Sequence, residues 1–258
     1  MQHIDFSITN SVARITFNRP QVFNSMHQAM RLEILEALET CEKDAEIRAV
    51  YLTGTGKAFC AGEDLQEVTD PNGPSLTEII SKGYNPIVLK IRNLEKPVVA
   101  AVNGVAAGAG ANIALACDIV VATESASFTQ AFSKIGLIPD SGGTWTLPRL
   151  VGFQRATALM MLSDKISATE AAAMGMIWKV FPEETFPADS LKMAETLAQM
   201  PTKGLALTKL ALNQSFANDF QAQAAVEDKL QTQAGQTDDY REGVSAFMEK
   251  RKPVFKGK

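Results

Sequence analysis

Residues 96–120 read KPVVAAVNGVAAGAGANIALACDIV, and this stretch indicates the fold class. Its first part, PVVAAVNG (97–104), has the length and apolar content of a buried strand that ends in glycine. Small residues follow, and a helix is predicted to begin near Gly108 or Ala109. DIVVA (118–122) is the next strand. Buried strands that alternate with a helix indicate parallel strands joined by crossovers.

The same alternation continues on both sides of this stretch. VARITFN (12–18) alternates as a half-buried strand with a hairpin partner before it, and RAVYLTG (48–54) has the pattern of a buried strand. A helix between them is predicted to take Asn24 or Ser25 as its N-cap. From about residue 186 onward the pattern is almost wholly helical. The sequence therefore predicts an α/β fold that is followed by a helical C-terminal region.

The composition excludes several classes of partner. The chain has 258 residues, of which 46% are hydrophobic and 21% charged, with a net charge of −4. This balance gives no reason to expect nucleic acid or an anionic membrane as a partner. No apolar run approaches the ~20 residues that cross a bilayer, and the polar start MQHIDFSITN is unlike a secretory leader. A cytoplasmic location is therefore the expectation.

Few residues are available for metal binding or nucleophilic catalysis. The cysteines, Cys41, Cys60 and Cys117, are odd in number and widely spaced, so neither a disulfide framework nor a zinc site is predicted. We expect them to be buried, reduced thiols. The two histidines, His3 and His27, both lie near the N-terminus. Any catalysis is expected to use carboxylates and backbone groups, without a metal.

Two glycine-rich stretches resemble nucleotide-binding loops only in part. GTGK (54–57) ends like a phosphate-binding loop, but Tyr51 and Ala58 stand where that motif requires glycine and Ser or Thr. GAGANI (108–113) carries Ile113 where the dinucleotide fingerprint requires Gly or Ala. The first stretch is therefore predicted to be a turn, and a dehydrogenase is disfavoured.

Two turns are candidates for binding an oxygen atom through backbone N–H groups. A helix that begins near Ala109 would expose unpaired N–H groups at its N-terminus. In AFCAGEDL (58–65) a strand end leads through Gly62 to the N–H groups of Glu63 and Asp64. Together, such amides would form an oxyanion hole, worth ~3 kcal/mol or more per donor. Alternatively, the small residues only allow the helix to pack tightly on the sheet.

Asp140 lies in the apolar and glycine-rich segment IGLIPDSGGT (135–144). Asp before small residues is most often a turn former whose side chain accepts hydrogen bonds from nearby backbone N–H groups. A catalytic carboxylate is the other interpretation, and the residue pattern alone leaves both open.

Four ordered motifs resemble the crotonase superfamily, the enoyl-CoA hydratases and isomerases, over essentially the whole chain. The motifs are AFCAGEDL (58–65), the opening stretch (96–120), FSKIGLIPDSGGTWTLPRLVG (132–152) and YREGVSAFMEKRKPVF (240–255). The resemblance implies a spiral of ββα units over residues 1–195 and a helical trimerisation region over residues 196–258. It also implies trimers or dimers of trimers, an acyl-CoA thioester as substrate, and no cofactor besides the CoA of that substrate.

Carried over position by position, the family's oxyanion-hole amides fall on the backbone N–H groups of Glu63 and Ala109. The hydratases use two glutamates to activate water, and here Asn112 and Phe132 occupy those positions. Without that carboxylate pair, hydration is disfavoured. Asp140 matches the aspartate of family members that move protons.

The resemblance also implies a set of residues that contact the substrate or its CoA. Phe247 and Lys250 match residues that reach the CoA of a neighbouring subunit. The remaining positions are Phe23, Ala61, Gly62, Asp64, Leu65, Gly108 and Phe132.

Four details resemble the family members that convert the ring epoxide of phenylacetyl-CoA to its oxepin form in bacterial phenylacetate degradation. They are DPNGP (70–74), YNP (84–86), GVAAGAGA (104–111) and AFSKIGLIPDSGGTW (131–145). The expected activity is proton and double-bond transfer through a thioester enolate, including Δ3 to Δ2 isomerisation of enoyl-CoA. A generic enoyl-CoA hydratase and a non-catalytic acyl-CoA binding protein are the alternatives.

In such an isomerase Asp140 would take the α-proton and return it. Burial against Leu137, Ile138 and Phe132 is expected to raise the pKa of its carboxyl toward the neutral range, because desolvation disfavours the charged form.

Overall fold

The computed structural model describes residues 1–258 as two β-sheets with helices packed around them. The strands are β1 (Ile4–Thr9), β2 (Val12–Phe17), β3 (Ala49–Gly54), β4 (Ala58–Cys60), β5 (Val98–Val102), β6 (Val105–Ala107), β7 (Ile119–Thr123), β8 (Ser127–Thr129), β9 (Ile166–Ser167) and β10 (Lys179–Phe181).

The helices of the first half are α1 (Gln28–Lys43), α2 (Leu65–Thr69), α3 (Leu76–Glu78), α4 (Asn85–Asn93) and α5 (Ala109–Ala116), and a π-helix, Ile79–Tyr84, joins α3 to α4. Those of the second half are α6 (Gly143–Val151), α7 (Phe153–Leu162), α8 (Ala168–Ala173), α9 (Phe186–Ala198), α10 (Thr202–Ser215), α11 (Phe220–Ala234) and α12 (Asp238–Glu249). Short 3-10 helices cover Pro20–Val22 and Ala131–Ile135.

Three successive units each place one strand in each sheet. The larger sheet has the order β1-β2-β3-β5-β7-β10, and the smaller has the order β4-β6-β8-β9. Thus β3 and β4, β5 and β6, and β7 and β8 are successive pairs, and helices follow the second strand of each pair. Within each sheet the strands contributed by these units are parallel. This arrangement confirms the predicted spiral of ββα units.

The central strands of the larger sheet, β3, β5 and β7, are buried on both faces, which explains why they read as continuous apolar runs. Val50 and Leu52 of β3 point into the main hydrophobic core. The alternate residues, Ala49 and Tyr51, pack on the other face in a second cluster with residues of α9. The buried Tyr51 hydroxyl is 2.8 Å from Ser190 Oγ on that helix, so its polar atom is satisfied.

The predicted strands and the largely helical C-terminal region are present, but the predicted N-cap of the first long helix is wrong. The N-cap of α1 is His27, whose Nδ1 accepts a hydrogen bond of 3.1 Å from the N–H of Met30. Asn24 has a left-handed φ of 56° and is buried in the preceding turn. An N-cap residue adopts extended backbone, so Asn24 does not serve as one.

The predicted boundary after residue 195 falls inside α9. Phe186 near the start of this helix and Ala198 at its end both belong to the same buried cluster against the larger sheet. Helix α9 therefore continues through residue 195 as one packed element.

The three cysteines are buried and free, as predicted. None of the helices has both the length and the apolar content needed to cross a membrane.

Helix α5 lies in unusually close contact with the end of β4. A methyl group added to Gly110 would lie 2.7 Å from Cys60 Sγ and would overlap the Cys60 carbonyl oxygen. Real carbon atoms do not approach this closely, so only glycine allows the helix to rest against the strand. The contact brings the first turn of α5 to the carboxyl end of β4.

Replacing Gly110 with alanine should therefore destabilise the protein. We expect Gly110→Ala to lower the free energy of unfolding by about 2 kcal/mol, because the added methyl group overpacks the contact. The matched control is Gly204→Ala in α10, where the methyl group would meet Pro201 at an ordinary 3.7 Å. The control should be neutral or slightly stabilising. Urea unfolding followed by circular dichroism measures both, and equal midpoints for the two variants would contradict the packing argument.

Candidate active site

The segments that the sequence singled out meet at one edge of the smaller sheet. β4, β6 and β8 are parallel neighbours, with Ala58 opposite Val105 and Ala107 opposite Thr129. Their carboxyl ends therefore lie side by side. Gly62 and Glu63 follow β4, Gly108 and Ala109 follow β6, and Gln130 to Phe132 follow β8. The fold brings three sequence-distant turns together, as the carboxyl edge of parallel strands does in other α/β sites.

The backbone N–H groups of Glu63 and Ala109 lie at this edge, and neither donates any of the turn and loop hydrogen bonds within the chain. The Ala109 group is the first of the unpaired N–H groups at the N-terminus of α5. The groups around Glu63 are paired, because Met26 donates to the Gly62 carbonyl at 2.8 Å and accepts from Asp64 at 2.9 Å. The two turns are close, since a methyl group at Gly62 would lie 3.5 Å from the nitrogen of Ala109. Unpaired, neighbouring donors at a helix N-terminus form a site for a negatively charged oxygen.

Glycine is required in both turns by backbone conformation. Gly62 has a φ of 96° and Gly108 a φ of 53°, values that L side chains rarely adopt. The N–H of Gly108 donates to the Thr129 carbonyl at 2.9 Å, which fixes the second turn to β8. The conformation that exposes the Ala109 amide is therefore stabilised by the hydrogen bond to Thr129 and permitted by glycine at position 108.

Asp140 begins the turn that leads into α6. Its carbonyl accepts a hydrogen bond of 2.8 Å from the N–H of Gly143, and its Oδ1 accepts one of 2.8 Å from Ser141 Oγ. The residue is half-buried. Burial raises the pKa of the Asp140 carboxyl above its ordinary value, and the Ser141 hydrogen bond acts in the opposite direction. A carboxylate with a raised pKa is a stronger base than a solvated aspartate.

The three apolar residues predicted to bury the Asp140 carboxyl differ in their own solvent exposure. Phe132 is buried, and a methyl group at Gly108 would lie 3.8 Å from its ring, so it lines the same edge. Leu137 and Ile138, however, are 38% and 80% exposed, so the expectation that they bury the carboxyl is wrong for the single chain. Residues 133–138 are all exposed, so this whole segment lies at the surface of the chain.

Asn112 holds the Asp140 turn against α5, a contact that the sequence did not predict. Its Nδ2 donates to the Asp140 carbonyl at 2.9 Å, and its Oδ1 accepts from Gln130 Nε2 at 2.8 Å. Both amide side chains are buried. A signal was present in the sequence, because Asn112 is the one polar residue in the helix AGANIALA and a buried polar group requires partners.

The carboxylate of Glu63 is engaged in a buried ion pair. It lies 2.7 Å from Arg31 Nη1, and Arg31 Nη2 lies 2.6 Å from Glu67. The Arg31 side chain is almost fully buried. Burial raises the pKa of Glu63 to about 7, and Arg31 acts in the opposite direction. The side chain of Glu63 thus ties its turn to α1, which leaves the backbone N–H as the group that faces the site.

Five of the residues predicted to contact the substrate or its CoA lie in or beside the turn that follows β4, namely Phe23, Ala61, Gly62, Asp64 and Leu65. The N–H of Ala61 donates to the Phe23 carbonyl at 3.0 Å, which joins these two positions. The side chains of Phe23 and Leu65 are 49% and 58% exposed. Asp64 is buried, with its carboxylate 2.9 Å from Arg19 Nη1.

Phe247 and Lys250 are not brought to this edge by the single chain. Phe247 is 82% exposed and lines a groove of about 490 Å³ among the C-terminal helices, with Pro201, Tyr240 and Phe255. None of the residues at the carboxyl ends of β4, β6 and β8 lines this groove. No group of three or more His, Cys, Asp or Glu side chains is arranged to hold a metal ion.

The ββα spiral with two unpaired amides at one sheet edge defines a class of protein. Residues 7–258 match the family described as enoyl-CoA hydratase/isomerase, and the chain belongs to that family.

Three relatives cover nearly the full length. The chain is 47% identical to the 1,2-epoxyphenylacetyl-CoA isomerase of Escherichia coli K12, with 100% of each chain covered. It is 34% identical to the 2,3-dehydroadipyl-CoA hydratase of the same organism, again over 100% of both. The crystal structure of an enoyl-CoA hydratase from Bacillus anthracis superposes with a TM-score of 0.93 at 34% identity, covering 100% of both chains.

Titration of Asp140 tests the electrostatics of the site. We expect its carboxyl carbon resonance, assigned by its loss in Asp140→Asn, to titrate above the range of an exposed aspartate. Ser141→Ala should move the midpoint to still higher pH, because it removes a hydrogen bond that favours the charged form. The control, Ser81→Ala, removes an exposed hydroxyl that bonds only the Thr77 carbonyl and should leave the midpoint unchanged. A downward shift in Ser141→Ala would contradict this assignment.

Proposed function

We propose that this protein is an acyl-CoA isomerase that moves a proton and a double bond through a thioester enolate. The observation that carries the proposal is a single half-buried carboxylate, Asp140, held against the helix whose N-terminus presents the free Ala109 amide. The positions at which hydratases of the family carry glutamates hold Asn112 and Phe132 instead. One carboxylate and two amide donors suffice for a proton shuttle.

In the proposed reaction the thioester carbonyl oxygen accepts hydrogen bonds from the N–H groups of Glu63 and Ala109. Asp140 removes a proton from C2 of a 3-enoyl-CoA, and the C–H electron pair forms the enolate with its negative charge on that oxygen. The protonated Asp140 then returns the proton to C4. The double bond shifts from C3=C4 to C2=C3, and the carboxylate is regenerated. Donors that contact the oxygen as its charge develops lower the barrier.

For the natural substrate we propose the ring epoxide of phenylacetyl-CoA. The relative at 47% identity is named for this isomerisation. In the oxepin form of this substrate, the ring C–C bond that the epoxide shares with the six-membered ring is broken. The same proton movement then applies, because this form loses a proton at the carbon next to the thioester and regains one on the seven-membered ring. The reaction is an isomerisation and requires no group besides the CoA thioester.

The alternatives differ from this proposal in what they require of the site. Water addition by general acid–base catalysis uses the pair of carboxylates that Asn112 and Phe132 replace. A protein that only binds acyl-CoA has no use for a half-buried carboxylate whose pKa is raised by desolvation.

Asp140→Asn tests the proposed base. The variant keeps the shape of the side chain and should bind CoA thioesters normally, but isomerisation of 3-hexenoyl-CoA should fall by about 10²–10⁴-fold. The rise in ultraviolet absorbance of the conjugated thioester measures the rate. Wild-type protein should add water to crotonyl-CoA only slowly. Wild-type turnover in Asp140→Asn, or hydration faster than isomerisation, would overturn the assignment.

We further propose that the protein is a homotrimer or a dimer of trimers, with residues 196–258 as the trimerisation region. In support, one face of α12 is apolar and largely exposed, with Val244, Phe247 and Met248 at 47%, 82% and 75%. A face of this kind marks an interaction surface. Phe247 and Lys250 of one subunit would contact the CoA that is bound to its neighbour, with Lys250 against a phosphate group.

Charge removal on α12 tests the CoA contact. We expect Lys250→Gln to weaken CoA binding, and the loss to shrink as salt concentration rises, because an exposed phosphate contact is screened. Lys252→Gln is the matched control, since Lys252 is another exposed lysine two residues away. Calorimetry gives both dissociation constants, and sedimentation gives the oligomeric mass. Equal affinities for the two variants would argue against a role for Lys250.

A further inference from the structure

Two buried amide side chains form a chain of hydrogen bonds that ends on the Asp140 turn. Asn112 is 1% exposed and Gln130 is 3% exposed. Gln130 Nε2 donates to Asn112 Oδ1 at 2.8 Å, and Asn112 Nδ2 donates to the Asp140 carbonyl at 2.9 Å. A carbonyl oxygen only accepts, so the Asn112 amide has one possible orientation, and that orientation leaves Oδ1 for Gln130.

Gln130 makes no other side-chain hydrogen bond. Its Oε1 is buried and has no partner in the chain. An unsatisfied buried acceptor costs stability. The contact with Asn112 is thus the only polar interaction that this buried side chain gains, and it fixes the orientation of the Asn112 amide.

The Asp140 turn is shaped to receive this amide. A methyl group on Gly143 would lie 2.7 Å from Asn112 Cγ and would overlap Asn112 Nδ2, so glycine is needed for the turn to approach the helix. The N–H of Gly143 and the amide of Asn112 donate to the same carbonyl of Asp140. This carbonyl is therefore held from two directions.

One helix carries both halves of the site. Ala109 and Asn112 are three residues apart on α5, so they lie on the same helical face. The first presents the unpaired amide, and the second holds the turn that carries the carboxylate. The separation between Asp140 and the oxyanion hole is thereby set by a single rigid element.

We propose that Asn112 is a positioning residue for Asp140 and that Gln130 orients it. The proposal rests on the proposed function, in which Asp140 is the base. Asn112 donates to the backbone of Asp140 and takes no proton itself. Its contribution is to hold the carboxylate at the distance from the bound thioester at which proton transfer occurs, a placement to which rates are steeply sensitive.

Asn112→Leu, which retains the branched shape without the hydrogen bonds, tests the proposal with 3-hexenoyl-CoA. We expect kcat to fall by about 10-fold to 10²-fold and KM to stay within about 3-fold, because placement of the base changes while thioester binding does not. Gln130→Met should give a smaller loss of kcat. The matched control is Asn103→Leu, since the Asn103 amide also joins backbone groups, those of Gly54 and Ala58, but does not contact Asp140. Its kcat should be unchanged.

A double-mutant cycle separates positioning from a general structural effect. The rate of deuterium exchange at C2 of bound 3-hexenoyl-CoA is measured in Asp140→Asn, with and without Asn112→Leu. If Asn112 acts only through Asp140, adding Asn112→Leu should cause no further loss. Losses that multiply, or an unchanged kcat in Asn112→Leu alone, would overturn the positioning role. Full activity in Asp140→Asn would instead overturn the proposed function. If Asn112→Leu does not fold, the same cycle with Gln130→Met decides.

Discussion

The site depends on the contact between the first turn of α5 and the end of β4. Gly110 lies against Cys60 so closely that no side chain fits between them. This contact brings the N-terminus of the helix beside the turn at Gly62, and both unpaired amides then lie at one edge of the smaller sheet. Backbone donors held in this way need no reorganisation when charge develops on a bound oxygen, which is the basis of their catalytic effect.

The carboxylates near this edge have separate roles. Glu63 and Glu67 share the buried guanidinium of Arg31, and this ion pair joins the turn after β4 to α1. Breaking such a pair would leave a buried charge without a partner. Asp140 has no cationic partner, and its carboxylate is bonded only to Ser141. Glu63 and Glu67 are thus paired within the chain, whereas the Asp140 carboxylate, the proposed base, has no cationic partner.

Much of the fold and part of the site could be predicted from the sequence. Apolar runs that end in glycine, such as PVVAAVNG, determine buried strands, and the motifs around Gly62, Gly108 and Asp140 identify the turns that meet. The N-cap of α1 was predicted wrongly, because Asn24 has the residue type of a cap but a left-handed backbone. The exposure of Ile138 was also not foreseen, since apolar character alone does not place a loop residue inside.

The order of residues fixes local features, namely hydrophobic periodicity, turn chemistry and the small residues that allow two backbones to approach. The tertiary structure alone decided which side chains are neighbours. Arg31 lies far along the chain from Glu63, and Gln130 and Asp140 meet through Asn112 only after α5 packs on the sheet. Hydrogen bonds and ion pairs act over a few ångströms, and residue spacing does not fix such distances between separate elements. The free amides became identifiable for the same reason, because an unpaired N–H is recognised only once every other partner has been placed.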